Sequence, residues 1–202
     1  EVLGEHCKQA GSAVHPDRLR FDFTHFSAVT PDEICQIESR VNAWICANAT
    51  VDTVVMDLDE AKEAGATAMF GEKYDEHVRT VRIGPESFEL CGGTHVDRAG
   101  DIGFFRIVTE SALAAGVRRI EAVTGLSALA TVHSDQERAV QTAALLKTSP
   151  AQLAERIQGM QARLKETEAE LTELRRQMAA SQSTGLLDQI VEVEGFKTLS
   201  AV

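Results

Sequence analysis

Glu76-His77-Val78-Arg79-Thr80-Val81-Arg82-Ile83-Gly84-Pro85-Glu86-Ser87-Phe88-Glu89-Leu90-Cys91 is the stretch that decides the fold class. Two runs with strand character, Glu76 to Ile83 and Ser87 to Cys91, flank Gly84-Pro85. Gly and Pro mark turns, so the stretch predicts two strands joined at Gly84-Pro85. The second run leads directly into Cys91-Gly92-Gly93-Thr94-His95. A thiol and an imidazole then stand four positions apart, and both are donors that suit Zn²⁺. The Gly pair is expected to let the backbone fold tightly enough for both side chains to reach one ion. Taken alone, the pattern more often describes a buried Cys beside a loop His. Two ligands also leave a tetrahedral shell incomplete.

Working outward, further short strands appear on both sides. Arg18 to Thr24 alternates strictly, with Leu19, Phe21 and Phe23 on one face and charges on the other. Thr50 to Leu58 is β-branched, and Phe104 to Glu110 is followed by a turn at Ala115-Gly116 into Val117 to Val123. Thr30-Pro31-Asp32-Glu33 predicts a helix start, with Thr30 as cap, Pro31 at the first position and Glu33 closing a capping box. That helix runs to about Ala47, with Ile34, Ile37, Val41, Trp44 and Ile45 at core spacing. Asp59 to Ala64 reads as a short helix ended by Gly65. Residues 1–9 resemble the last turns of a helix, with Gly11 as its stop. Short strands in succession with helices between them predict an α+β domain: an antiparallel sheet with packed helices.

After Gly125 the pattern becomes helical. One helix is expected from Ser127 to Lys147, and Ser149-Pro150 restarts a second, with Ser149 as cap and Gln152 completing a box. Leu153, Ile157, Met160, Leu164, Thr167, Leu171, Leu174 and Met178 then form a seam spaced by four and three, with a polar defect at Thr167. A long helical hairpin or coiled coil follows from this. Packing against the preceding helix is weighed ahead of self-association through the seam. Ser181 to Gly185 reads as a linker, and Leu187 to Val193 as a strand with no partner before Val202. The expected organisation is a first domain over 1–126, a helical spacer over 127–182, and a linker with the start of another domain over 183–202. Both ends read as cut from something longer.

Composition narrows the function classes. No apolar run approaches the ~20 residues of a membrane span. Four Cys at irregular spacing do not form a disulfide framework, so a reducing, cytoplasmic setting is expected. The net charge of -11 argues against nucleic acid as a whole, but residues 1–60 hold 11 acids against 4 bases and supply most of it. Over 61–126 the bases Lys73, Arg79, Arg82, Arg98, Arg106, Arg118 and Arg119 form either a local basic face or scattered solvated charge.

Six blocks in order then carry a resemblance: Gln9-Ala10-Gly11-Ser12, Pro16 to Phe23, Ala68-Met69-Phe70-Gly71-Glu72-Lys73-Tyr74, Cys91 to Val96, Gly100-Asp101-Ile102-Gly103, and Gly116 to Gly125. Together they resemble the editing domain of the alanyl-tRNA synthetase family, followed by its coiled-coil spacer. The resemblance implies a parent that charges tRNA(Ala) with alanine using ATP and Mg²⁺ in a catalytic domain not contained in this chain. It implies that this part hydrolyses Ser-tRNA(Ala) and Gly-tRNA(Ala). It implies a Zn²⁺ held by an upstream His-x-x-x-His, which this sequence does not contain, with Cys91 and His95 as the downstream pair. Editing by the chain as it stands is therefore expected to be impaired. Gln9 matches a glutamine of the editing pocket, and Thr94 has the right chemistry to join it.

Each residue also has a plainer reading. Gln9 can cap backbone, and Thr94 can make a local turn hydrogen bond. Cys91 as a nucleophile has no nameable base. Arg118 and Arg119 near RNA would point to opposite faces of a strand, so at most one serves one site. Asp22 reads better as an outward strand residue or ion-pair partner than as a base, and His6 and His25 as structural or solvated. Two further function classes remain: a tRNA-docking module without catalysis, and a freestanding deacylase relative.

Overall fold

Among the described residues, strand pairing produces two antiparallel sheets and a two-stranded hairpin. The computed structural model describes residues 2–68, 74–187, 191–193 and 196–198. They fall into two compact units, Glu1–Asp135 and Gln136–Val202.

In the first unit, β1 (Gln9–Val14), β2 (Leu19–Thr24), β6 (Phe105–Ala114) and β7 (Val117–Thr124) form a sheet in the order β1-β2-β7-β6. Helix α1 (Pro31–Ala47) lies on it. The capping box forms as the sequence predicts: Glu33 N–H donates to Thr30 Oγ1 at 3.3 Å, and Thr30 N–H donates to Glu33 Oε2 at 2.8 Å. Asn48 closes the helix in the left-handed region, its N–H donating to Ile45 O. Ile34, Ile37, Val41 and Ile45 pack against Phe105, Ile107 and Ala122. Burying each large aliphatic or aromatic side chain there contributes about 1.5–3 kcal/mol. Trp44, read as core, is instead 37% exposed. Two polar residues of α1 also serve β6. Asn42 exchanges a pair of hydrogen bonds with the Phe105 backbone, at 2.8 and 2.9 Å. The Ile107 N–H donates to Glu38 Oε1 at 2.7 Å. The sheet edge is thus covered by helix side chains.

The start of the chain departs from expectation. Residues Gln9–Val14 are strand, not a helix end, and Gly11 lies opposite Asp22 rather than stopping a helix. Small residues there leave room beside β2, and the ladder decides what local propensity does not.

The second sheet has the order β3 (Val51–Asp57), β4 (His77–Ile83), β5 (Ser87–Leu90). Helix α2 (Leu58–Glu63) covers one face, packing Ala61 against Val78 and Leu90. The Gly84-Pro85 turn holds, with Ile83 paired to Ser87. Block Ala68 to Tyr74 lies mostly outside the described residues, as 69–73 are not among them.

Helix α3 spans Gly125–Leu145 and α4 spans Leu153–Leu187. Between them, Ser149 does not cap with its side chain; its hydroxyl donates to Gln152 Oε1 at 3.1 Å across a short 3₁₀ turn. The seam of α4 faces solvent: Leu164 is 60% and Met178 62% exposed. Thr167, the polar defect, returns its hydroxyl to Arg163 O at 2.9 Å. Ser181 to Gly185 is helical, not a linker. The strand read over Leu187 to Val193 is described at Val191–Val193 (β8), and it has a partner, Phe196–Thr198 (β9). Residues 188–190 lie outside the described part. Among the described residues no helix is long and apolar enough to cross a membrane.

Candidate functional site

The loop Cys91 to Asp97 is fixed at both ends by main chain. At its start, Cys91 N–H donates to Arg79 O at 3.1 Å, continuing the β4–β5 ladder by one residue. At its end, Val51 N–H donates to Asp97 O at 3.0 Å, and Ala99 N–H to Ala49 O at 2.9 Å. Between these anchors, His95 Nε2 lies 3.2 Å from Cys91 Sγ. Two donors on a tetrahedral zinc, at ~2.3 Å for sulfur and ~2.0–2.1 Å for nitrogen, stand about 3.5 Å apart. The pair therefore fits two corners of a zinc shell after a small movement. Among the described residues no cluster of three or more His, Cys, Asp or Glu forms, so the fit is to half of a four-ligand site.

The glycines do not act as the sequence suggests. Neither Gly92 nor Gly93 has positive φ. An added Cβ at Gly92 would meet nothing within 4 Å, and at Gly93 only Cys91 Sγ, at 3.6 Å. Neither glycine is required here by a backbone conformation closed to other residues.

The loop's carbonyls are held by a residue that the sequence shows only as one of several bases. Arg79, on β4, donates through Nη1 to Cys91 O and to Gly93 O, both at 2.7 Å. Its Nη2 reaches Thr53 Oγ1 at 3.4 Å. The available signal was positional: Arg79 is the strand residue that faces Cys91 once the Gly84-Pro85 turn sets the register.

The other predicted residues are spread over the unit. Thr94 is exposed on the same loop as Cys91 and His95. Gln9 is half-buried on β1 in the other sheet, its amide donating to Ser12 Oγ at 3.1 Å beside a register shift. Arg118 and Arg119 do point to opposite partners. Arg118 donates twice to Glu110, at 2.6 Å each, and Arg119 twice to Asp22, at 2.7 and 2.9 Å. Hydrogen bonds from these guanidiniums hold both carboxyls below the usual carboxylate range, against the opposing effect of burial. Asp22 is thus an ion-pair partner, but a buried one. His6 and His25 pair with each other, Nε2 to Nδ1 at 2.8 Å, under the exposed ring of Phe26.

Comparison with known proteins places these features in a family. Residues 78–121 match the family described as "Threonyl and Alanyl tRNA synthetase second additional domain". That segment contains Arg79, Cys91, His95, Arg118 and Arg119. Along its full length the chain is 49% identical to an alanine–tRNA ligase of Pseudoalteromonas translucida. It is 48% identical over 99% of its length to one of Idiomarina loihiensis. It spans 23% of each of these relatives. With near-half identity from end to end and the second additional domain at its centre, the chain belongs to the alanyl-tRNA synthetase family, corresponding to about a quarter of the length of those relatives.

Proposed function

We propose that this part of the synthetase edits: it hydrolyses the ester that links wrongly attached serine or glycine to tRNA(Ala). The observation that carries the reading is the approach of Cys91 Sγ and His95 Nε2 to 3.2 Å, on an open loop inside the matched domain. An aminoacyl ester is already activated. Its hydrolysis needs a placed water and stabilisation of the developing oxyanion. The water oxygen adds to the ester carbonyl, the bond to the ribose oxygen breaks, and serine and tRNA with a free terminal hydroxyl leave. Cys91 and His95 would contribute two ligands to a Zn²⁺, which when bound would supply a Lewis acid or an anchor for the amino acid's polar groups. Gln9 and Thr94 are assigned to hydrogen-bond the seryl hydroxyl. A site built for that hydroxyl rejects alanine far better than an apolar pocket could reject serine. Arg118 and Arg119 are assigned to the RNA side, each presenting only the N–H groups that its carboxylate leaves over. ATP and Mg²⁺ belong to the whole enzyme's aminoacylation of tRNA(Ala), and a cytoplasmic setting goes with that activity.

With two donors, the chain by itself is expected to bind zinc weakly and to edit poorly. The test is hydrolysis of Ser-tRNA(Ala) alongside bound zinc, for this chain and for the longer protein carrying Cys91→Ala or Gln9→Ala. Cys91→Ala in the longer protein should remove both zinc and hydrolysis, and Gln9→Ala should weaken hydrolysis with zinc retained. Tight stoichiometric zinc and full activity in the 202-residue chain would overturn the impairment. A longer protein that binds zinc and leaves the ester intact would favour a tRNA-docking module. That second reading draws on the lack of a three-donor cluster among the described residues. The exposed seam of α4 is assigned to self-association.

A further inference from the structure

We infer that Arg79 is the positioning residue of the Cys91–His95 pair: it sets the loop curvature that brings the two donors together. The inference rests on the ligand reading proposed above. One guanidinium nitrogen carries two N–H groups, and here each meets one carbonyl, Cys91 O and Gly93 O, at 2.7 Å. Two carbonyls two residues apart that converge on one nitrogen must turn toward each other, which curls the chain through Gly92. The main chain of the same residue holds the loop's first N–H, at 3.1 Å. Arg79 therefore grips the loop from both its backbone and its side chain. The glycines themselves do not force the curl: neither adopts a left-handed conformation, and an added Cβ would meet nothing at Gly92 and only an ordinary contact with Cys91 Sγ at Gly93. Among the described residues no carboxylate pairs with Arg79; its hydrogen bonds go to the two carbonyls and to Thr53. The planar fork holds both carbonyls on one nitrogen while its second nitrogen reaches Thr53, a fixed spacing that a single ammonium nitrogen reproduces only in part. Partners that orient metal ligands in this way typically change metal affinity by roughly 10- to 100-fold when removed.

The test uses the 202-residue chain with cobalt(II) as a spectroscopic probe, reading the thiolate-to-cobalt charge-transfer band. Cys91→Ser should abolish the band, which identifies its source. Arg79→Met keeps the aliphatic stem on the sheet and should raise the cobalt dissociation constant by about 10- to 100-fold, with the same thermal midpoint within a few degrees. Arg79→Lys should recover part of the band, an effect that a general loss of packing would not give. Wild-type affinity and spectrum in Arg79→Met would overturn the inference. If Arg79→Met does not fold, Arg79→Lys decides: unaltered affinity overturns the inference. A wild-type chain whose spectrum equals that of Cys91→Ser defeats the ligand reading instead. Arg79 is then judged by hydrogen exchange in metal-free protein. Amides of Gly92, Gly93 and Thr94 should exchange at least tenfold faster in Arg79→Met, with Thr80 and Val81 unchanged; equal protection throughout overturns the positioning role.

Discussion

Asp22 and Glu110 show at the scale of single residues how the β1-β2-β7-β6 sheet is tied together. Each accepts two hydrogen bonds from an arginine of β7. Each has its folded pKa depressed, chiefly by those bonds. In the unfolded chain they titrate near about 3.9 and 4.3. The folded state then holds fewer protons than the unfolded state around pH 4, so stability rises with pH there. The contribution is complete above the unfolded values and is lost as the pH falls through the depressed folded ones. Asp22→Asn should therefore unfold at lower urea than wild type at pH 7, and the gap between the two midpoints should close in acid. A gap that stays constant from pH 7 to pH 3 would mean that the ion pair is not what Asp22 contributes. From sequence, Asp22 reads as an outward strand residue or an ion-pair partner, with Arg119 unnamed, since 97 residues separate them and only the β2–β7 register brings them opposite each other. The approach of Cys91 and His95 was legible because their spacing is local. The hydrogen bonds of Arg79 to their loop were not, because they depend on which residue faces Cys91 across a turn.

At the scale of elements, the ends of α1 were written in its own sequence, but its attachment was not. Thr30, Pro31 and Glu33 act on backbone within three residues, so the capping box could be read directly. Asn42 and Glu38 lie outside the apolar spacing of the helix, yet they satisfy the Phe105 and Ile107 backbone more than sixty residues away. Strand β1 was missed for the same kind of reason, since Gln9–Val14 becomes a strand only by pairing with β2. Asn42→Ala should then be costly out of proportion to its half-buried position. It removes both hydrogen bonds to Phe105, besides the one to Glu38 O, and leaves both polar groups of Phe105 without their partner, at about 1–3 kcal/mol for each buried group. Denaturant unfolding should show a larger loss for Asn42→Ala than for Thr30→Ala, where a lost cap costs about 1 kcal/mol. The opposite order would mean that water replaces Asn42 at the β6 edge.

For the molecule as a whole, the open question is what covers the seam of α4. Ile157, Met160, Leu164, Leu171, Leu174 and Met178 lie along one stripe, each between 42% and 62% exposed. The charges along the helix are not evenly placed: 155–165 holds one acid and three bases, and 166–176 four acids and two bases. Two copies laid antiparallel would set the basic half of each against the acidic half of the other, whereas a parallel pair would set like against like. Opposite charges flanking an apolar seam fix partner and direction in coiled coils. A second copy of this chain, antiparallel, is therefore the occupant expected. Sedimentation of the chain should show a monomer–dimer equilibrium that weakens from low to high salt, as exposed charge pairs are screened. Leu164→Glu with Leu171→Glu puts four carboxylates into the paired seam and should leave a monomer at all concentrations, with the first unit's thermal midpoint unchanged. A dimer that persists in the double variant would locate self-association elsewhere, and a wild-type monomer at high micromolar concentration would assign the seam to a different partner.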